Sequence, residues 1–123
     1  MSKNEIRPFL YSREGGLAII SINDAPWNKM TLAFMDELEI LMPKLKEDSS
    51  VRAVLFTAEG EENFSAGMNL KELGPILTNP NELEELLDQR LRVLSAIEFL
   101  GKPVIATLFG YCLGGGLELP MSC

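Results

Sequence analysis

Residues 104–118 read VIATLFGYCLGGGLE, an apolar run that leads into a glycine-rich loop and ends on an acidic residue. The run Val104–Leu108 predicts a strand that is buried on both faces. Glycine at position 110 and at positions 114–116 lets the backbone adopt positive φ and come close to a ligand. A helix should begin near Gly115, and its first N–H groups then have no partner inside the helix. The stretch therefore predicts a strand, an anion-binding loop and a helix start.

A second segment of this kind lies upstream. Residues 51–57 (VRAVLFT) predict another strand buried on both faces, and a short helix should begin near Asn69 after an intervening loop. A strand, a helix and a further strand in one sheet imply parallel strands with a shared carboxyl edge. Ligands bind at that edge in open α/β sheets. The loops at 64–70 and 110–118 are therefore expected to meet there.

The N-terminal part of the chain completes an α/β pattern. Strands at Pro8–Arg13 and Leu17–Ile22, separated by Glu14-Gly15-Gly16, predict a hairpin. From Thr31, which suits the N-cap position, apolar residues recur at spacings of three and four. This spacing predicts a helix whose core-facing stripe consists of Met35, Leu38, Met42 and Leu45.

A long helix is expected between the two glycine-rich segments. Residues 74–80 contain two prolines and predict a loop, and Asn81 then caps a helix that extends to about Leu100. The helix stops at Gly101-Lys102-Pro103. Its apolar face is predicted to consist of Leu83, Leu86, Leu87, Leu91, Leu94 and Ile97.

Composition excludes several functional classes. The 123 residues are 46% hydrophobic and 24% charged, as in a single globular domain. The net charge of −7 argues against a nucleic-acid partner. The sequence has no apolar run long enough for a membrane span and no secretory signal at its start, so we expect no membrane partner and a cytoplasmic location. Histidine is absent, which removes Ser-His and Cys-His pairs and His-based zinc sites, and no metal is expected.

The two loops together suggest a site for an oxygen that gains negative charge. Its donors would be the N–H groups of Met68 and Gly115. Glu118 lies three residues after Gly115 on the predicted helix, and its carboxylate should lean back toward these donors, where it can move a proton or orient water. An anionic ligand would also need cations, and the nearest in sequence are Lys71 and Lys102, each of which fits a solvated surface lysine equally well.

Each feature has a simpler interpretation when it is taken alone. A glycine triplet is more often a tight turn, and an isolated Glu118 is more often a solvated charge. Ser65 fits a small loop residue better than a nucleophile, because no base accompanies it in this chain. A phosphate-binding loop does not fit, because no Lys-Ser or Lys-Thr follows the glycines.

The two motifs resemble those of the crotonase (enoyl-CoA hydratase/isomerase) superfamily. Residues 64–73, FSAGMNLKEL, are similar to the family segment F-[SA]-A-G-x-[DN]-[LI]-K-E-[LM]. Residues 102–106, KPVIA, and 110–119, GYCLGGGLEL, are similar to K-P-V-I-A followed by G-x-x-x-G-G-G-x-E-L. Both segments occur in the family's order with a long helical stretch between them, and the resemblance covers essentially the whole chain.

The resemblance implies a fold and a partner. The fold is the N-terminal portion of a crotonase-like spiral of ββα units, with residues 1–123 as a core that stops before the family's C-terminal helices. The full-length protein would be a homo-oligomer, either a trimer or a dimer of trimers. The partner is an acyl-CoA thioester, with coenzyme A as part of the substrate and no separate cofactor.

The resemblance also implies residue roles. Met68 and Gly115 match the family's oxyanion donors, and Glu118 matches the first of the two glutamates with which hydratases orient and activate water. The matching substrate and coenzyme A positions are Ala66, Gly67, Met68, Asn69, Leu70, Lys71, Gly114 and Gly115. The chain departs from the family in its length, about half of what is usual, and in lacking the second glutamate, which lies further along. It also departs at Met68, where alanine is usual, and at Asp24, where many members carry a basic residue.

Three functional hypotheses follow. The first is an acyl-CoA enzyme that stabilises a thioester enolate and hydrates a 2-enoyl-CoA, with double-bond isomerisation as its nearest rival. The second is a truncated, non-catalytic fragment that acts as a binding or assembly module. The third is a nucleotide-binding domain, which predicts affinity for ATP or NAD that does not depend on a thioester.

Overall fold

The computed structural model describes residues 6–123, within which four strands and four helices are present. The strands are β1 (Phe9–Glu14), β2 (Leu17–Ile22), β3 (Ala53–Ala58) and β4 (Val104–Ala106). The helices are α1 (Leu32–Glu47), α2 (Leu70–Leu77), α3 (Pro80–Glu98) and α4 (Gly115–Met121). None of these helices has the length and apolar character needed to cross a bilayer.

The strands form one sheet in the order β1-β2-β3-β4. β1 and β2 pair antiparallel across the tight turn at Gly15-Gly16, which confirms the predicted hairpin. β2 pairs in parallel with β3, and β3 in parallel with β4. The carboxyl ends of β2, β3 and β4 therefore share one edge, as the order of elements required.

The core lies between α1, the C-terminal half of α3 and one face of the sheet. α1 begins as predicted, because the Thr31 hydroxyl accepts a hydrogen bond from the Phe34 N–H at 3.0 Å. The predicted stripe of α1 is buried, and Phe34 extends it. The sheet contributes alternating residues of β2 and β3 to this core, and these are fully buried: Ile20, Ile22, Val54 and Phe56.

The prediction that β3 and β4 are buried on both faces is wrong. Val54, Phe56 and Ala58 are buried, whereas the residues between them are only partly covered. Ile105 in β4 is 53% exposed. The core lies on one face of the sheet, so burial alternates along the strand even where the sequence is apolar throughout. The strands are also shorter than predicted at one end, since β3 begins at Ala53 and β4 ends at Ala106.

The structure also corrects the boundaries of two helices. α2 begins after Asn69 as predicted, but it continues through Gly74 and Pro75, which were assigned to a loop. α3 begins at Pro80, and its cap is Asn79 instead of Asn81. Proline suits the first helical position because its missing N–H is not needed there. The Asn79 side chain accepts hydrogen bonds from the next two free backbone N–H groups, which fixes the start of the helix.

Candidate active site between two paired loops

The loops that follow β3 and β4 lie side by side and are joined by main-chain hydrogen bonds. Ser65 forms a parallel bridge with Cys112. The Ser65 N–H donates to the Tyr111 carbonyl oxygen at 3.1 Å, and the Ser65 carbonyl accepts from the Leu113 N–H at 3.1 Å. The parallel pairing of the strands thus continues into the loops. It brings residues 64–70 against the start of α4, as expected from the sequence.

Met68 is held by its neighbours and leaves its own donor free. The Met30 N–H donates to the Gly67 carbonyl at 2.8 Å, and the Asn69 N–H donates to the Met30 carbonyl at 2.8 Å. Between these two bonds, the Met68 N–H has no acceptor within residues 6–123. Gly115 is the first residue of α4, and its N–H likewise has no acceptor in the described part of the chain.

Two glycines allow the loops to approach this closely. Gly67 has φ +104°, and a Cβ atom there would lie 2.8 Å from the Leu113 carbonyl oxygen and 3.5 Å from the Gly115 nitrogen. A Cβ atom on Gly116 would collide with the Ser65 carbonyl oxygen and lie 2.7 Å from the Ser65 Cβ. The absence of a side chain at these positions therefore sets the distance between the two segments that carry the free donors.

Replacement of Gly116 by alanine is expected to lower the free energy of unfolding by about 1–3 kcal/mol, because the added methyl group meets rigid backbone. Gly74→Ala is the matched control: a Cβ atom there would have nothing within 4 Å. Gly74 lies within α2, so alanine should be neutral or stabilise by about 0.5–1 kcal/mol. Urea denaturation of both variants measures the difference, and equal midpoints would contradict the packing described for Gly116.

A cavity of about 700 Å³ opens beside the paired loops, within the usual size range of ligand sites. With the exception of Lys102, the residues that the sequence suggested for catalysis or binding line it: Ala66, Gly67, Met68, Asn69, Leu70, Lys71, Gly114, Gly115 and Glu118. The structure therefore brings these residues together around one space. Their roles in binding and catalysis stay predictions.

Five leucines form one apolar side of this cavity, which we call the leucine wall: Leu73 and Leu77 of α2, and Leu83, Leu86 and Leu87 of α3. The sequence predicted the α3 leucines as one apolar face. In the structure these leucines do not all pack on the same surface. Leu83, Leu86 and Leu87 line the cavity, whereas Leu91 is 65% exposed. Of the residues in α3, Val93 and Ile97 are the buried ones.

Glu118 is paired with a residue that the sequence did not single out. The Arg90 Nε and Nη2 atoms donate to the same Glu118 oxygen, Oε2, at 2.9 Å and 2.7 Å. Arg90 lies on α3, 28 positions before Glu118, and it also lines the cavity. A single arginine on a long, charged helix carries no sequence signal that separates it from a solvated surface residue.

The lysines are placed differently from the prediction. Lys71 lines the cavity, but the Lys102 Nζ atom donates to the carbonyl oxygens of Leu45 and Asp48 at 2.6 Å and 2.7 Å. Lys102 therefore binds the C-terminal end of α1, where a cation offsets the helix dipole, and its suggestion as a ligand residue is wrong. Lys29, which the sequence did not suggest, lines the cavity and forms an ion pair with Asp24 at 2.7 Å.

Ser65 is a structural residue of the first loop. It is fully buried, and its hydroxyl donates to the Asn28 carbonyl at 2.7 Å and accepts from the Gly67 N–H at 3.1 Å. The buried Asn28 side chain in turn donates to the carbonyl oxygens of Glu59 and Asn63. These bonds hold the loop rigidly, and they use the hydroxyl that a nucleophile would need. Among the described residues, no group of three His, Cys, Asp or Glu side chains could hold a metal ion.

The sequence matches the family model described as enoyl-CoA hydratase/isomerase over residues 12–123, which covers the end of β1, all later strands and helices, and both paired loops. The chain belongs to this family. Membership confirms the resemblance found in the two loop motifs.

Relatives and solved structures agree with this membership. The chain is 32% identical over 120 residues to a short-chain-enoyl-CoA hydratase of Clostridium acetobutylicum, which covers 97% of this chain and 45% of that protein. Its structure matches DspI of Pseudomonas aeruginosa with a TM-score of 0.88 at 26% identity, over 99% of this chain and 46% of that one. It matches an enoyl-CoA hydratase of Bacillus anthracis with a TM-score of 0.85 at 30% identity, over 94% and 45%.

These matches confirm the predicted crotonase-like fold. The chain spans about half the length of the relatives that it matches. Met68, Gly115 and Glu118 all lie within the matched residues.

Proposed function

We propose that this family member is an acyl-CoA enzyme that hydrates a 2-enoyl-CoA. One observation carries the proposal: Met68 and Gly115, whose backbone N–H groups have no acceptor in the described chain, line one cavity together with Glu118. An oxygen that gains charge during a reaction is best stabilised by fixed donors of this kind. The hydratase named among the relatives supports the choice of reaction.

In the proposed reaction the thioester carbonyl oxygen accepts hydrogen bonds from both amides. The oxygen of water bonds to C3 of the enoyl group, and the electron pair of the C2=C3 double bond moves toward the thioester, which becomes an enolate. The two amides stabilise the negative charge on the enolate oxygen, and each is worth about 10²–10³ in rate. Glu118 accepts the proton that water gives up, and transfer of that proton to C2 completes the addition and returns the carboxylate.

The remaining lining of the cavity suits the other parts of an acyl-CoA. The leucine wall would bury the acyl chain, since apolar surface removed from water contributes about 25 cal/mol per Å². Lys71 is a cation at the cavity that forms no ion pair among the described residues, and it would attract the phosphates of coenzyme A. Coenzyme A is then part of the substrate, and the reaction uses no separate cofactor.

The direct test is the hydration of crotonyl-CoA by the purified protein. Addition of water removes the conjugated double bond, so the ultraviolet absorbance of the thioester should fall, and the product should be a 3-hydroxyacyl-CoA. A rise in that absorbance with a 3-enoyl-CoA would favour isomerisation instead. Binding of an acyl-CoA without turnover of either substrate would reject the enzyme and favour a binding module.

The leucine wall predicts a dependence on acyl-chain length. Leu87→Gln places a polar group in the wall, and kcat/KM for a medium-chain enoyl-CoA is expected to fall roughly tenfold, the effect of about 1.4 kcal/mol of lost contact. Crotonyl-CoA should be affected much less because it is shorter. Leu91→Gln is the matched control, since Leu91 lies on the same helix, is 65% exposed and is outside the cavity. A uniform loss with both substrates would contradict this placement of the chain.

Membership of this family also suggests how the whole protein is organised and assembled. Residues 1–123 would form its N-terminal core, and the complete protein would assemble as a trimer or a dimer of trimers in the cytoplasm. Analytical ultracentrifugation of the full-length protein measures the assembly, and a monomer would contradict it.

A further inference from the structure

Arg90 lies on α3, the helix that carries three leucines of the leucine wall, and it pairs with Glu118 on α4. Its side chain reaches from α3 to α4 and is 17% exposed, whereas the Glu118 side chain is 53% exposed. Both of its hydrogen bonds go to Oε2. In the described part of the chain the other oxygen, Oε1, accepts no hydrogen bond. The arginine therefore fixes the carboxylate through one oxygen and leaves the second available.

The same guanidinium rests on Gly115. A Cβ atom at this position would lie 2.8 Å from Nη2 and 3.5 Å from Nη1 of Arg90. The arginine can occupy this place only because residue 115 has no side chain. One side chain thus touches both the residue that provides an amide donor and the carboxylate that would act on water.

We propose that Arg90 is the positioning residue of Glu118, holding Oε1 at a fixed place relative to the Gly115 amide. The inference rests on the proposed hydratase function and deepens it. A glutamate side chain near a helix start can adopt several rotamers, and restricting them has an entropic cost that a charge-assisted pair offsets. A displacement of about 1 Å in a reacting group can lower a rate by as much as 10²-fold.

The helix that carries Arg90 also offers a matched control. Arg92 forms an ion pair with Glu39 of α1 at 3.3 Å and does not line the cavity beside the loops. Each arginine therefore joins α3 to a neighbouring helix through one carboxylate. A purely structural role for Arg90 predicts similar consequences for Arg90→Met and Arg92→Met, whereas a positioning role predicts that only the first affects turnover.

The experiment compares hydration of crotonyl-CoA by Arg90→Met, Arg90→Lys and Arg92→Met. For Arg90→Met, kcat should fall about tenfold to a hundredfold while KM changes little, because the substrate is not the partner of the arginine. Arg90→Lys should recover part of this loss, since lysine retains the charge but not the planar fork. Arg92→Met should have wild-type kcat. A raised KM with unchanged kcat in Arg90→Met would overturn the proposal, as it would make Arg90 a substrate-binding residue.

A double variant tests whether Arg90 acts through Glu118. If it does, Arg90→Met combined with Glu118→Gln should be no slower than Glu118→Gln alone. Multiplied losses would show that the two residues act independently and would overturn the proposal.

The pair can also be tested without turnover, which separates this inference from the proposed function. An inactive wild-type protein would reject the hydratase. The arginine Nε–H signals in a ¹⁵N NMR spectrum would then decide the positioning claim. Glu118→Gln should shift the Arg90 signal and leave the Arg92 signal in place. An unmoved Arg90 signal would show that the pair does not form in solution and would overturn the inference.

Discussion

Met68→Pro should lower kcat for enoyl-CoA hydration by about 10²–10³-fold, the usual effect of removing one donor from an oxyanion site. Proline lacks the N–H group and also fixes φ near −65°. The two hydrogen bonds that hold this segment use the Gly67 carbonyl and the Asn69 N–H, so neither is lost. Stopped-flow or steady-state measurement of kcat with crotonyl-CoA gives the effect.

Met68→Ala is the control for the loss of the side chain. Alanine keeps the N–H group and changes only the shape of the cavity near Met68. Its kcat should therefore fall by a much smaller factor than that of the proline variant. The thermal unfolding temperature of each variant shows whether a loss of turnover comes from the missing donor or from a protein that no longer folds. Equal turnover by folded proline and alanine variants would show that the Met68 amide does not contact the reacting oxygen.

Glu118→Gln should lower kcat by about 10²–10⁴-fold, the usual contribution of a general acid or base. Glutamine has the size of glutamate but cannot accept a proton from water at neutral pH. The dissociation constant of crotonyl-CoA should change little, because the free amides and the leucine wall are retained. Isothermal titration calorimetry with substrate and product at equilibrium measures the dissociation constant, and single-turnover kinetics measures the rate of the chemical step.

The matched control is Glu39→Gln. Glu39 is also a helical glutamate paired with an arginine of α3, but it lies outside the cavity beside the loops. Its replacement should leave kcat at the wild-type value. Wild-type turnover by Glu118→Gln would remove Glu118 from the mechanism and leave the backbone N–H groups of Met68 and Gly115 as the remaining part of the proposed site.

The features that the sequence predicted correctly depend on local patterns. The hairpin follows from two strands around Gly15-Gly16, and α1 follows from a capping threonine and a regular apolar spacing. The alternating burial of β3 could not be predicted, because it depends on which face of the sheet the helices cover. Pro75 was read as a helix breaker, yet α2 continues through it to Leu77.

The candidate site likewise contains features that the sequence predicts and features that depend on tertiary packing. The meeting of the two loops was predicted because parallel strands end at a common edge, and the residues around Met68 and Gly115 do line one cavity. The pairing of Arg90 with Glu118 joins residues 28 positions apart on different helices. No periodicity or motif encodes such a contact, since it depends on how α3 and α4 pack. For the same reason the sequence does not single out Lys29, and Lys102, a candidate cation for the ligand, instead binds the end of α1.

The free donors belong to the main chain and are fixed by the pairing of Ser65 with Cys112 and of Met30 with the residues around position 68. Exchange of the side chain at 68 can alter the shape of the cavity without deleting a donor. Only proline removes such a donor directly, and no single-base change turns a methionine or glycine codon into a proline codon. Under the proposed function, mutations at position 68 would therefore change which acyl group fits the cavity, while the two backbone donors are inherited unchanged.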